Sequence, residues 1–329
     1  MAKQWIGFDI GDCSVKMVHV TGKEIKNTVV AELPDNIVDD GQIISMDAMA
    51  DFIREHAKQG GLPKADAAVI LPTAIMMTRT VTMPVMTERQ LVFNLPYEFN
   101  DYLKEEKHHY LFDYAVREMK YDEEGKPYEM RIFACAALKE DIEKYRMMFR
   151  RAGFKLKLAV PQECAYTNII NGVDREVGRD CCIVDLGHNA TRLHIFHGGE
   201  YETRRVIDIG NRELDRLIAD EKEVDVHVAH SYKENNYEDV LSGESALGLY
   251  NRLAVEIMKA VNFFNYNNRS AELSDLYLCG GGAAIRPLVQ MIEDVTNLKV
   301  HPASELMTQA NDEEESYAFL RGYGLVTGE

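Results

Sequence analysis

The sequence predicts an α/β fold made of two copies of one domain, with a small α+β unit inserted into the first copy. Three observations carry that prediction. Residues 6–24, IGFDIGDCSVKMVHVTGKE, superimpose on residues 182–200, CIVDLGHNATRLHIFHGGE, at an offset of 176 positions. Asp9 then meets Asp185, Gly11 meets Gly187, Lys16 meets Arg192, Gly22 meets Gly198 and Glu24 meets Glu200, each copy reading as apolar strand, Asp-x-Gly turn, apolar strand. Further on, Leu276 to Cys279 is a strand that runs directly into Gly280-Gly281-Gly282 and a helix beginning near Ala284. Residues 66–138 hold strands and a helix but no such glycine turn, which marks them as the insertion. A length of 329 residues suits about two domains.

The turns have a chemistry of their own. Glycine lets the backbone turn tightly and approach a ligand, leaving N–H groups to face an anion while the aspartate stands ready for a cation. One Asp-x-Gly turn is ordinary turn composition. Two of them facing each other would grip the phosphates of one nucleotide. The strand, glycine triplet and helix are a third ligand-shaped element, because a helix N-terminus carries unpaired N–H groups and partial positive charge. Taken alone, that element reads equally well as a plain strand-to-helix turn.

In chain order, Trp5 to Ile10, Val15 to Val20 and Glu24 to Leu33 form a three-strand meander. Helical spacing follows at Met46, Met49, Phe52, Ile53 and His56 and stops at Gly60-Gly61 with Pro63 beyond. In the insertion, Ala67 to Leu71 and Met76 to Met83 are strands around Pro72-Thr73, a helix runs from Thr87 to about Leu103, and strands Tyr110 to Lys120 and Tyr128 to Leu138 flank the turn EEGKP. Lys139 to Ala152 is an amphipathic helix closed by Gly153, Lys155 to Val160 a strand, and Cys164 to Ile170 a helix. After the second meander, 211 to about 250 is polar and helical with few apolar residues in series, suiting a peripheral subdomain, and Ala246 to Phe264 is a more apolar helix.

Composition narrows the function classes. A net charge of −17 argues against a nucleic-acid partner, which usually meets a basic face. The acidic run Asp312 to Glu315 reads most simply as a solvated loop or helix start. The six cysteines form no C-x-x-C pair and sit in or beside apolar strands, as reduced core thiols of a cytosolic protein do. No apolar run approaches the ~18 residues of a bilayer span. The opening MAKQWIGFDIG shows no secretory h-region, and RGYGLVTGE at the other end is too short and weakly amphipathic for a membrane helix. The expectation is a cytoplasmic protein that reaches a membrane only through a partner. His194 and His197 lie three apart on a strand and point to opposite faces, and His227 and His230 lack a third ligand nearby, so a histidine metal site is disfavoured. No G-x-x-x-x-G-K-[ST] occurs and no serine has a nucleophile-elbow context. Met76, Met77, Met83, Met86, Met147 and Met148 are core filler or the lining of a groove for an apolar peptide.

The motifs DIGDCSVK, DLGHNAT and CGGGAAI, in this order and spacing, resemble the two phosphate loops and the adenosine loop of the actin-like ATPase superfamily. With the insertion (VILP, TVTMPVMTERQL and ACAALKEDIEKY), the chain resembles the PilM family of type IV pilus assembly proteins, relatives of the division protein FtsA. The resemblance covers almost the whole chain. It implies an actin-like (ribonuclease H-like) duplicated two-domain fold with an inserted α+β subdomain of the PilM/FtsA type. Residues 1–65, 139–180 and 305–329 would form the first domain, 66–138 the inserted subdomain, 181–210 and 258–304 the second domain, and 211–257 the peripheral helical subdomain.

The resemblance further implies that ATP and Mg2+ are bound. Asp9 and Asp185 would face the metal; Gly11, Asp12, Cys13, Ser14 and Val15 with Lys16, and Gly187, His188, Asn189 and Thr191, would hold the phosphates. Gly210 and Asn211 would stand near the phosphates, and Gly280, Gly281 and Gly282 would back the adenosine. Gln162 or Glu163 falls where the family orients the attacking water. His188 is bulkier than the family's usual small residue and Asp12 adds an acid, which together imply at most a slow ATPase. The implied partners are the N-terminal cytoplasmic tail of a PilN-like single-span membrane protein and other pilus assembly components. The alternatives are an FtsA-like filament-forming division protein, a small-molecule kinase of the same superfamily, and a relative that has lost its nucleotide.

Overall fold

Alternation along the repeated strands sets the layers of the molecule. The computed structural model describes residues 3–35, 37–39, 41–173, 180–268, 272–307 and 316–327. The first part of the chain forms β1 (Gln4–Ile10), β2 (Ser14–Thr21), β3 (Glu24–Glu32), the short β4 (Val38–Asp39) and β5 (Gln42–Ile43), α1 (Met46–Gln59) and β6 (Asp66–Ile70). Then come β7 (Met77–Pro84), α2 (Glu88–Asn94), β8 (Tyr110–Tyr121), β9 (Pro127–Leu138), α3 (Lys139–Ala152), β10 (Lys155–Val160) and α4 (Gln162–Gly172). The second half holds β11 (Cys181–Leu186), β12 (Thr191–His197), β13 (Glu200–Ile207), α5 (Asn211–Lys222), α6 (Val226–Glu234), α7 (Glu244–Asn267), β14 (Asp275–Cys279), α8 (Arg286–Thr296), β15 (Lys299–Pro302) and α9 (Ser316–Thr327).

The hairpin β1–β2 sets Asp9 opposite Lys16, and β11–β12 sets Asp185 opposite Arg192. Both hairpins have one register, so the repeat seen in the sequence is a structural repeat. Each belongs to a five-stranded sheet of the same order, β3-β2-β1-β6-β10 and β13-β12-β11-β14-β15. In both, the last three strands run parallel.

Successive side chains on a strand point to opposite faces. On β1, Ile6 and Phe8 enter a core with α1 and α3, whereas Trp5 joins a core with α4 and α9. On β11, Cys182 and Val184 pack with α7 and α8, whereas Cys181 and Ile183 join that same α4–α9 core. The order of layers is therefore α1 and α3, first sheet, α4 and α9, second sheet, α7 and α8. The inner helices belong to both halves. Glycine makes this layer possible: a Cβ on Gly7 would stand 2.0 Å from the Gly322 carbonyl oxygen, and one on Gly324 2.3 Å from that of Ala165. Helix α9 thus touches β1 and α4 backbone to backbone.

Several sequence expectations need correction. Asp66–Ile70 was expected inside the insertion, but β6 pairs with β1 and β10 at the heart of the first sheet, so the inserted sheet, β7-β9-β8, starts at Met77. The helix expected from Thr87 to about Leu103 ends at Asn94. Thr87 and Gln90 cap its start reciprocally, and a 3₁₀ turn, Leu95–Phe99, takes over where Pro96 brings no N–H for the ladder. The segment after Asn211 is less peripheral than its polarity suggests, since Leu214, Ile218, Ala229 and Val240 enter the second core. The run Asp312 to Glu315 lies outside the described residues. The insertion also reaches the second sheet: Arg117 Nη1 donates to the Tyr201 carbonyl at 3.0 Å, and Arg131 pairs with Glu202 at 3.2 Å.

Of the methionines, Met76, Met83 and Met148 are buried core filler, and Met147 is exposed. Cys181, Cys182 and Cys279 are buried, and Cys13, Cys135 and Cys164 are half-buried. Burial pushes the Cys135 thiol up to about 11 and those of Cys164 and Cys181 to about 12, which keeps them protonated and unreactive.

Candidate functional site

The alternation that puts Trp5 and Gly7 on the inner face of β1 puts Asp9 there too, at the strand's C-terminal end. Asp185 follows Cys181 and Ile183 on β11 in the same way. Both aspartates are buried. Between them stands Arg321 of α9. Its Nε donates to Asp9 Oδ2 at 3.0 Å, its Nη2 lies 2.9 Å from that oxygen, and its Nη1 lies 3.2 Å from Asp185 Oδ2. The Asp185 contact is a charge contact rather than an aligned hydrogen bond. Burial alone would raise the Asp185 carboxyl, but Arg321, Arg192 and Lys16 outweigh it and hold the group below the ordinary carboxylate value. Burial would likewise lower the Arg321 guanidinium; Asp185 and Asp9 reverse that and drive it further up.

The two glycine turns converge on this pair. Lys16 acts electrostatically on Asp185, and Asp12 of the first turn acts on His188 of the second. Val15 keeps its side chain in the outer core, leaving only its backbone to the turn. Gly11 N–H donates to the Ser14 carbonyl at 2.9 Å, and burial raises the Cys13 thiol against the pull of Lys16 and Lys233. In the second turn, Asn211 N–H donates to the Gly187 carbonyl at 3.0 Å and Arg212 N–H to that of His188 at 2.9 Å, so the first N–H groups of α5 hold the turn. Thr191 Oγ1 donates to the Ile209 carbonyl at 2.9 Å. A Cβ on Gly210 would meet the His188 carbonyl oxygen at 2.3 Å, which explains that glycine.

The glycine triplet backs the second turn. Gly280 has φ +82°, and a Cβ there would lie 2.6 Å from Asp185 Oδ1; one on Gly282 would lie 2.8 Å from Leu186 Cβ. Gly281 is exposed, and a Cβ there would meet nothing nearer than Asn211 Nδ2 at 3.6 Å. Beside the turn, a cavity of about 610 Å³ is lined by Asn189, Gly210, Arg212 and Arg216 of the second half and by Asp39 of β4. That volume suits a nucleotide-sized ligand, while Asp39, Asp208 and Glu213 face Arg212 and Arg216 on its wall, three carboxylates against two guanidinium groups. Of the sequence-predicted residues only Asn189 and Gly210 line it; Gly280 to Gly282 do not.

Gln162 and Glu163 differ in outlook. Both are buried in the first turn of α4. Gln162 shares a helix face with Tyr166, four residues on, whose hydroxyl lies 3.8 Å from Cys279 Sγ and which feels Asp185 and Arg321. Glu163 turns to Arg204 of β13 at 3.4 Å, and burial raises its carboxyl against the pull of Arg204 and Arg117.

Two groups escaped the sequence reading. Arg321 had one signal, a lone charge within the apolar stretch YAFLRGYGLVT. Lys233 had none; it is buried with Asp215 at 2.7 Å, and Asp215 also receives His230 at 3.2 Å. His227 instead pairs with Asp35 of the first half at 3.2 Å, so the two histidines serve different contacts.

Behind Asp185, His194 is fully buried, 3.3 Å from the Tyr201 hydroxyl and packed on Tyr166. Burial pushes its pKa from 6.5 down to about 3, so it stays neutral in the folded protein. The unfolded chain binds that proton first. Stability contributed by this group is therefore complete above about pH 6.5 and is lost as pH falls toward about 3, at about 1.4 kcal/mol per pH unit. Urea unfolding across this range should show a shallower acid slope for His194→Gln, and equal slopes would refute it.

The aspartate pair was expected to hold magnesium. As the side chains stand, the Arg321 guanidinium takes the place between the carboxylates, and the pair does not fit a divalent cation.

Comparisons with known proteins agree with the fold. A solved structure titled "PilM-PilN type IV pilus biogenesis complex" superposes with a TM-score of 0.78 at 19% identity, covering 97% of this chain and 96% of that one. The ethanolamine utilization protein EutJ from Carboxydothermus hydrogenoformans superposes at 0.62 with 12% identity, over 100% and 90% of the two chains. MreB 5 of Spiroplasma citri bound to AMPPNP does so at 0.55 with 12% identity, over 98% and 95%. No curated protein sequence matches. At these identities the likeness is one of fold, and it is the actin-like fold. The family model described as "Type IV pilus assembly protein PilM" matches residues 7–316. The chain therefore belongs to the PilM family of type IV pilus assembly proteins.

Proposed function

We propose that this chain is an ATP-binding scaffold of a type IV pilus assembly machine that docks the N-terminal cytoplasmic tail of a PilN-like membrane protein. The observation that carries the nucleotide reading is the pair of hairpins in one register whose aspartates, one from each half, meet across Arg321. Lys16 and the backbone from Gly11 to Val15 hold phosphates from the first half; Gly187, His188, Asn189 and Thr191 hold them from the second. Arg212 and Arg216 stand at the cavity wall among Asp39, Asp208 and Glu213, and Gly281 offers an open backbone face to the adenosine. Gln162, on the helix face turned to Asp185, is better placed than Glu163 to orient a water, and hydrolysis is slow at most. Bound ATP contacts both halves and so fixes their closure.

The tail reading has its own support. A groove of about 420 Å³ between α1 and α3 is lined by Met46, Met147 and Met148 with Lys144, Arg150 and Arg151. Methionines adapt to an apolar peptide, and Arg150 stands on the rim beside Arg151, which pairs with Asp47 and Asp51, and Lys144, which pairs with Glu140 and Asp141. Among the described residues no helix is long and apolar enough to cross a membrane. We place the protein on the cytoplasmic side, tethered by that partner.

Calorimetry is the test. ATP is expected to bind the purified protein, and Lys16→Ala to weaken it by about tenfold, about 1.4 kcal/mol. A synthetic PilN-type tail peptide is expected to bind with Met147→Glu weakening it. Absence of ATP binding would refute the nucleotide reading, and absence of peptide binding the scaffold reading.

A further inference from the structure

We infer that Arg321 is a built-in replacement for the divalent cation between Asp9 and Asp185, so that this carboxylate pair takes up no metal and the two halves are joined by a guanidinium. The contacts are direct: Arg321 spans from 2.9 Å at Asp9 to 3.2 Å at Asp185, carrying one positive charge between carboxylates from two different sheets. The side chain is held in place by its helix. Gly7 against Gly322, and Gly324 against Ala165, leave α9 no room to slide without repacking β1 or α4. The surroundings already carry one cation more than the two carboxylates need. Lys16 and Arg192 stand opposite the two aspartates on their hairpins, so a dication entering beside Arg321 would meet three cations. The side chains of both aspartates are 3% exposed and that of Arg321 is 18% exposed, so the guanidinium is the group of the three that solvent reaches. A cation enters only if the guanidinium leaves. If ATP binds in the cleft as proposed above, its binding then needs no magnesium from this pair.

The test begins with the metal alone. Mn2+ is titrated into the nucleotide-free protein and the free ion is followed by electron paramagnetic resonance, with Asp185→Asn at equal concentration correcting for the acidic surface. Wild type is expected to bind no more Mn2+ than Asp185→Asn. Arg321→Met is expected to take up one further equivalent and to melt at higher temperature in its presence. One equivalent more on wild type than on Asp185→Asn overturns the inference, and so does a folded Arg321→Met that takes up none. Should Arg321→Met fail to fold, the comparison of wild type with Asp185→Asn decides by itself. A second arm uses ATP in EDTA and in magnesium. The wild-type affinity is expected to agree within about threefold between the buffers. Binding lost in EDTA overturns the inference and leaves the nucleotide reading standing; no binding in either buffer sinks the nucleotide reading, and the Mn2+ result still judges Arg321.

Discussion

Replacing Arg321 with methionine is expected to lower the unfolding free energy by about 3–5 kcal/mol, the usual cost of removing one partner from a buried ionic group. Methionine keeps much of the aliphatic length, so the loss reports the charge. Without the guanidinium, Asp9 and Asp185 are buried with Lys16 and Arg192 as their nearby cations, and the desolvation that Arg321 offset returns. Asp185 sits below the ordinary carboxylate value in the folded state, so its contribution is present above that value and is lost as pH falls through the folded one. Wild type and variant should accordingly converge below about pH 4. A double variant with Asp185→Asn should lose less than the sum of the single variants, by about 1–3 kcal/mol. Urea unfolding at neutral and acid pH checks all three statements. A loss under about 1 kcal/mol at neutral pH would mean that the ion pair contributes little.

The second large effect is expected at Gly7. Alanine there puts its Cβ 2.0 Å from the Gly322 carbonyl oxygen and 2.8 Å from its carbon, and both are backbone atoms that no rotamer change can clear. Helix α9 must lift from β1. Overpacking usually costs about 1–3 kcal/mol, and here the displaced helix also carries Arg321 away from the carboxylates, so the loss should exceed about 3 kcal/mol. Gly22 is the control. It has φ +64° and open space around its Cβ, so Gly22→Ala carries only the left-handed backbone strain of about 1–2 kcal/mol. Denaturant midpoints of the two variants should rank in that order, and equal losses would show that α9 does not depend on the close approach.

Local rules accounted for much of the fold. The two hairpins were legible because period-two alternation and an Asp-x-Gly turn are written in adjacent residues. Helix α3, Lys139–Ala152, was legible for a related reason, since it ends where Gly153 adopts φ 94°. What failed was long-range. Asp66–Ile70 looks like any short apolar strand, and nothing local says that it pairs in parallel with β1 rather than with β7. Gln162 and Glu163 are neighbours on one helix turn, and nothing local says that Glu163 reaches Arg204 on β13.

For the candidate site, the sequence by itself determined the duplication, the two aspartates and the glycine turns, because a turn and a strand end are specified by the residues that form them. Which cation stands between those aspartates was decided by tertiary structure alone. Arg321 lies 312 positions from Asp9, in a helix whose own pattern says only that it is apolar. It reaches the carboxylates because Gly322 and Gly324 let that helix settle between two sheets, and contact between distant backbones is a property of the packed molecule, not of any stretch of chain.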